Sequence, residues 1–161
     1  MLTIRTAHAS DLDAVTEIEA ACFPAAEAAG RRSIAGRLAA FPDHFYIAEQ
    51  DGQAIGFVNG SVGDSEVIED EMYENAALHR PDGAWQMVFG LDVLPAYRRT
   101  GVARALMHRL IDDARAQGRT GVALTCKEHL IGFYEQFGFV CGGPSASVHG
   151  GAVWYDMRLT F

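Results

Sequence analysis

Leu91-Asp92-Val93-Leu94-Pro95-Ala96-Tyr97-Arg98-Arg99-Thr100-Gly101-Val102-Ala103 is the stretch on which the reading of this chain turns. It starts inside a strand candidate, Ala84–Val93, and runs into the clearest helix of the sequence, Val102–Ala116. There Val102, Leu106, Leu110 and Ala114 recur on one helical face. Between strand and helix lies Arg98-Arg99-Thr100-Gly101-Val102-Ala103. Amide N–H groups at a helix start have no intrahelical partner, and the helix dipole adds partial positive charge. Glycine lets such a backbone curl around a phosphate, a small residue such as Ala103 leaves room, and arginines add charge-assisted hydrogen bonds. The pattern is neither GxGxxG nor a P-loop. It therefore predicts a phosphate site of another kind, with an ordinary glycine-capped turn as the alternative.

Outward from this stretch, Leu2–Thr6 reads as a strand. Ser10-x-x-Asp13 reads as a capping box opening a helix through Leu12, Val15, Ile18 and Cys22, with Pro24 past its end. Ser33 is expected to cap a second helix, with Ile34 and Leu38 inward and Pro42 beyond. Phe45–Glu49, Asp51-Gly52 and Ala54–Asn59 predict a hairpin. Gly63–Gly83 reads as an acidic loop, and Gly90 marks a bulge or a close backbone approach within its strand. After Gly118 come a strand at Val122–Cys126, a helix at Leu130–Phe137 closed by Gly138, and strands at Phe139–Cys141 and Ala152–Phe161. This order predicts an α/β (α+β) fold in a single domain over residues 1–161. Its mixed, partly antiparallel sheet would have about six to seven strands flanked by about four helices. A doubly wound dinucleotide fold is disfavoured, because strands and helices do not simply alternate.

The composition, 49% hydrophobic and 21% charged over 161 residues, supports a core that needs no disulfide or metal staple. No apolar run is long enough for a membrane span, and Met1–Arg5 lack a signal-peptide layout. Cys22, Cys126 and Cys141 form no CxxC pair, and His79, His129 and His149 are not metal-spaced, so no metal is expected. A cytoplasmic location follows as an expectation. A net charge of −8 argues against a nucleic-acid partner. The charge is uneven: residues 1–90 carry −10, residues 91–161 carry +2, and six arginines fall between Arg98 and Arg119. That distribution suggests a small anionic ligand at the basic segment and a cationic one at the acidic part.

Arg98-x-x-Gly101-x-Ala103 resembles the acyl-CoA pyrophosphate signature of the GCN5-related N-acetyltransferase (GNAT) superfamily. The likeness extends to its arylalkylamine (serotonin) N-acetyltransferase branch through three further stretches. These are Val15-x-Glu17-Ile18-Glu19 through Phe23, Leu78-His79-Arg80-Pro81, and Leu124-x-Cys126 through Phe133-Tyr134-Glu135-x-Phe137-Gly138-Phe139 to Gly143-Pro144. The resemblance implies the GNAT fold and acetyl-CoA as cosubstrate. It implies that a bulged strand around Leu91, Asp92 and Val93 pairs its backbone with the pantetheine arm. Arg98, Arg99, Thr100, Gly101, Val102 and Ala103 would then hold the phosphates.

The same resemblance makes Tyr134 the general acid that returns a proton to the departing thiolate, a role open to a buried phenol. On spacing alone Tyr134 is core, sharing a face with Leu130, Phe133 and Phe137. Where the branch carries two histidines on its fourth strand, this chain has Met87 and Phe89, which cannot move a proton. With Phe23, which matches a ring-contacting position of the branch, they are expected to form an apolar substrate wall. For the base, Asp70 and Glu71 in the acidic run are the candidates, and Glu27 is a further one. Cys126 reads as a buried structural thiol rather than an acyl carrier. The implied activity is direct acetyl transfer from acetyl-CoA to a small arylalkylamine-like or other cationic amine, by a monomer or homodimer. A peptide or protein acetylase of the same fold and a non-catalytic acyl-CoA sensor are the competing readings.

Overall fold

The computed structural model describes all of residues 1–161. In chain order the elements are β1 (Leu2–Thr6), α1 (Leu12–Cys22), α2 (Arg31–Ala40), β2 (Phe45–Gln50), β3 (Gln53–Asn59) and β4 (Val62–Gly63). There follow α3 (Asp70–Glu74), β5 (Trp85–Val88), β6 (Gly90–Val93), α4 (Val102–Ala116) and β7 (Gly121–Cys126). The chain closes with α5 (Ile131–Glu135), β8 (Val140–Pro144) and β9 (Tyr155–Thr160).

Strand periodicity sorts the apolar residues of β2 and β3 between two layers. Phe45, Ile47 and Phe57 point to one side, where Val15 and Ile18 of α1 and Ile34 and Leu38 of α2 cover them. Tyr46, Ala48 and Val58 point to the other, against Leu106, Met107, Leu110 and Ile111 of α4. Apolar residues four apart along α4 give it one continuous buried stripe, as its sequence predicts. The β2–β3 hairpin turns at Asp51 and Gly52, both at positive φ (52° and 82°), the twist that a two-residue turn between antiparallel strands requires.

The strands form two sheets, ordered β1-β2-β3-β6 and β4-β5-β7-β9-β8. All ladders are antiparallel except β5–β7, so the sheet is mixed as expected. The expected long strand Ala84–Val93 is divided at Phe89: β5 pairs with β7, and β6 pairs with β3. This division and the two-residue β4 account for the strands beyond the expected number. The acidic stretch read as loop contains the short helix α3. The first helix also starts differently. Asp11, not Ser10, caps the turn by accepting the His8 amide (2.7 Å), and Arg5 holds Asp11 through two bonds of 2.7 and 2.9 Å. The second helix begins at Arg31 after Gly30, so Ser33 lies inside it. No helix is long and apolar enough to cross a membrane.

Candidate functional site

The change of sheet at Phe89 opens a cleft. The Phe89 amide donates to the Asn59 carbonyl (2.7 Å) while Gly90 is the register partner of Asn59, so two residues face one in a bulge. Past it, β6 leans onto β3 and leaves the end of β7, Thr125 and Cys126, without a neighbour on that side. The Leu94 amide donates to Ile55 (2.9 Å), which fixes the alternation along the β3–β6 ladder. Gly90, Asp92 and Leu94 turn their backbone groups to β3, and Leu91 and Val93 turn theirs into the cleft. The Val93 carbonyl is met there by Arg98 Nε (3.1 Å) and Cys22 Sγ (3.3 Å).

At one end of the cleft the chain makes the turn that the sequence marked. Arg99 and Gly101 have positive φ (63° and 89°), and Gly101 stands at the cap of α4. The first backbone hydrogen bond of α4 is Ala105 N–H to the Gly101 carbonyl (3.0 Å). The amides of Val102, Ala103 and Arg104 therefore project from the helix start without a partner in the chain. Arg99 and Thr100 are exposed beside them, the Thr100 hydroxyl bonding the Tyr97 carbonyl. The arginine cluster divides. Arg98 and Arg99 belong to this turn, whereas Arg109 binds Asp113 and the Ile4 carbonyl, and Arg119 binds the Gly83 carbonyl.

Two cavities occupy the cleft. One is lined by Leu91, Asp92, Val93, Arg98, Ala103 and Phe133, on the side of the turn. The other lies beyond the bulge and is lined by Glu19, Arg37, Tyr73, Phe89, Thr125, Cys126, His149 and Trp154. Phe23, Leu91, Lys127, Leu130 and Tyr134 line both. Tyr134 is thus a junction residue, 7% exposed, with its ring edge-on to Phe133 and Phe139. Its hydroxyl has no hydrogen-bond partner within the chain, and burial pushes the phenol well above its ordinary value.

The second cavity has aromatic walls and charged corners. Tyr73 stacks on His149 (5.3 Å, 19°) and packs on Phe89 (5.1 Å); its hydroxyl bonds Thr125 Oγ1 (2.8 Å), and burial pushes it up to about 12. Arg37 lies over the Phe89 ring (5.1 Å) and donates to the Tyr73 carbonyl (2.9 Å). Lys127 Nζ sits 2.8 and 3.0 Å from the two Glu27 oxygens and 5.7 Å from the Trp154 ring. His149 Nε2 donates to the Glu27 carbonyl (2.8 Å).

Behind the bulge is a buried pair of acids. Glu19 and Asp92 are 7% and 1% exposed, and neither Asp92 oxygen has a hydrogen-bond partner. A Cβ placed on Gly90 would lie 3.2 Å from Asp92 Oδ1, 3.6 Å from Asn59 Nδ2 and 3.7 Å from Glu19 Oε1. Three polar side chains therefore converge on that glycine. Burial, then the adjacent Glu19 carboxyl, holds Asp92 well above the usual carboxylate range. Asp92 keeps a proton that an exposed acid would lose.

Several expected site residues are elsewhere. Asp70 is bound to Ser147 Oγ and the Val148 amide (3.1 Å), securing the loop before β9, and Glu71 is exposed on α3. Neither lines either of the two cavities. Met87 is packed with Ile68, Trp85 and Ala123, away from the cleft. Met87 and Phe89 do share one face of the strand with Trp85, but Met87 is fully buried behind it and only Phe89 lines the cavity. Asp92 borders the first cavity, but its backbone belongs to β3. Val102 is buried in the core, so only its amide faces the turn. The residues that sequence reasoning missed, Glu19, Arg37, Tyr73, Lys127, His149 and Trp154, come from five separate segments. Only the single lysine among 161 residues stands out in the sequence itself.

This geometry has known counterparts. The chain matches the acetyltransferase (GNAT) family over residues 12–139. It is 30% identical over 112 residues to the serotonin N-acetyltransferase of Mesocricetus auratus, covering 69% of this chain and 53% of that protein. The chain thus spans about half the length of the curated relatives it matches. Its fold is similar to that of the GphF GNAT-like decarboxylase in complex with isobutyryl-CoA (TM-score 0.83, 23% identity, 98% of both chains). It is also similar to YncA, a putative acetyltransferase from Salmonella typhimurium with its cofactor acetyl-CoA (TM-score 0.70, 22% identity, 99% and 93% of the chains). The match covers well over half of the chain, and the chain belongs to the acetyltransferase (GNAT) family.

Proposed function

We propose that the chain is an acetyl-CoA-dependent N-acetyltransferase acting on a small aromatic or apolar amine that arrives as a cation. The observation that carries this reading is the meeting of two cavities at Tyr134, with the phosphate turn at the far end of one of them. In this account the CoA phosphates sit on the amides of Val102, Ala103 and Arg104 beside Arg98 and Arg99. The pantetheine arm pairs with Leu91 and Val93, extending the free edge of β6. The thioester then reaches the junction.

The amine enters among Phe23, Tyr73, Phe89 and Trp154, whose faces suit an aromatic body and whose negative π-clouds suit an ammonium group. The nitrogen must lose a proton before it attacks. Asp70 and Glu71 are out of reach, and Glu19 takes their place: it lines the amine cavity, and Asp92 behind it keeps its proton. Attack forms the N–C bond, the carbonyl oxygen develops charge near the free Leu91 amide, and the C–S bond breaks. Tyr134 donates its proton to the CoA thiolate, the phenol having been kept protonated by burial.

Thermal melts with CoA and acetyl-CoA, then thiol release across an arylalkylamine, a polyamine and a peptide N-terminus, test the reading. CoA stabilisation with fastest turnover on the arylalkylamine is expected. Fastest turnover on the peptide would replace the acceptor class, and absence of CoA stabilisation would remove the transferase reading altogether.

A further inference from the structure

The chain has twelve arginines and one lysine, and that lysine stands where the two cavities meet. Lys127 follows directly on β7. Its ammonium rests between a carboxylate that is 9% exposed, Glu27, and the face of Trp154. Acid and aromatic ring are the surroundings proposed above for the incoming amine. The chain therefore holds a primary amine of its own in an acceptor's environment, tied to a potential proton acceptor 100 residues away in sequence. The side chain is one-third exposed and borders the cavity assigned to CoA, so a rotation of its four-carbon stem suffices to move Nζ along the cleft.

We infer that Lys127 is an internal acceptor, acetylated within its own chain when acetyl-CoA is bound and no amine is present. The inference rests on the transferase reading. In the step, Glu27 takes one proton from the ammonium and the neutral Nζ attacks the thioester carbonyl. The N–C bond forms, the C–S bond breaks, and the thiolate leaves with a proton from Tyr134. The second nitrogen proton passes through solvent and restores the phenol. The products are acetyl-lysine, free CoA and one proton, with no other reactant. Acetylation abolishes the positive charge, so Glu27 loses its partner and the amine cavity becomes more acidic. An external amine in excess competes for the same acetyl group.

Peptide-resolved mass spectrometry of the intact chain incubated with acetyl-CoA tests this, and the Met1 α-amine is an internal reference. Met1 is exposed and its α-amine pairs with an exposed Asp51 (3.0 Å), so uncatalysed acylation falls on it at least as readily as on Lys127. One acetyl group on Lys127 is expected, gained faster than on Met1. Its rate per molecule should be independent of protein concentration and suppressed by a saturating arylalkylamine. Lys127→Arg, which keeps the ion pair, should gain none beyond the Met1 background. CoA stabilisation with Lys127 unmodified would overturn the inference and leave the transferase reading standing. Equal rates at Lys127 and Met1, or a rate proportional to protein concentration, would also overturn it. Absence of CoA stabilisation would overturn both.

Discussion

The two cavities that meet at Tyr134 are built from different material. The cavity beside the turn offers main-chain groups from one run of chain, the edge of β6 and the start of α4 within residues 91–104, and completes its wall with side chains of residues 22–24 and 127–134. The second cavity is assembled from side chains on α1, the loop after it, α2, α3, the bulge, the end of β7 and the loop before β9. A backbone surface changes little when side chains are replaced, whereas a side-chain surface is rewritten by single substitutions. The main-chain part therefore tolerates substitution better than the side-chain part does.

Substitutions should separate these halves, and the largest effect is expected where they join. Tyr134→Phe keeps the ring packed on Phe133 and Phe139 and removes only the hydroxyl group with its proton. Steady-state kinetics should show kcat lower by about 10²–10⁴ with the acetyl-CoA KM within about twofold of the parent. Gly101→Val forces a β-branched residue to φ 89° and distorts the main-chain phosphate site. Strain of order 1–3 kcal/mol there translates into roughly tenfold or greater loss of CoA affinity by calorimetry. Arg99→Ala, which leaves the amides in place, should cost less. Trp154→Ala acts on the other half: the amine KM should rise roughly five- to tenfold while the acetyl-CoA KM stays unchanged.

The smallest effect concerns the acid pair between the halves. At low pH the folded and unfolded chains both hold the Asp92 proton. As pH rises past the ordinary carboxylate range the unfolded chain releases it while the folded chain keeps it, so Asp92 lowers stability with increasing pH. Asp92→Asn removes that dependence. Denaturant unfolding should give the variant an advantage of about 1 kcal/mol at neutral to mildly alkaline pH that vanishes in acid.

The contrast in material also explains what the sequence disclosed. The turn proposed for the phosphates was legible because strand, arginines, glycine and helix are contiguous, and a helix start exposes amides wherever it occurs. Gly90 was legible as a bulge, although not as the point where the chain leaves one sheet for the other. The amine cavity was not legible. Its Glu27–Lys127 and Glu27–His149 contacts join residues 100 and 122 positions apart, which no local pattern records. The acidic run misled for the opposite reason. Its proximity in sequence suggested a common role, yet Asp70 secures a loop, Glu66 pairs with Arg158 (2.7 Å), and Asp64 accepts the Ala84 amide (3.3 Å). Met87 shares the face of Phe89 as alternation predicts, but strand periodicity does not record depth, and Met87 is buried behind the cavity that Phe89 lines.

The central claim is that the two cavities are halves of one site. Its most direct test is the affinity of a bisubstrate analogue, CoA joined through an acetyl bridge to an arylalkylamine, measured by calorimetry beside CoA alone. If the halves meet at Tyr134, the analogue gains the contacts of both without a second loss of translational freedom and should bind at least about a hundredfold more tightly than CoA. Equal affinities for the analogue and CoA would contradict the account.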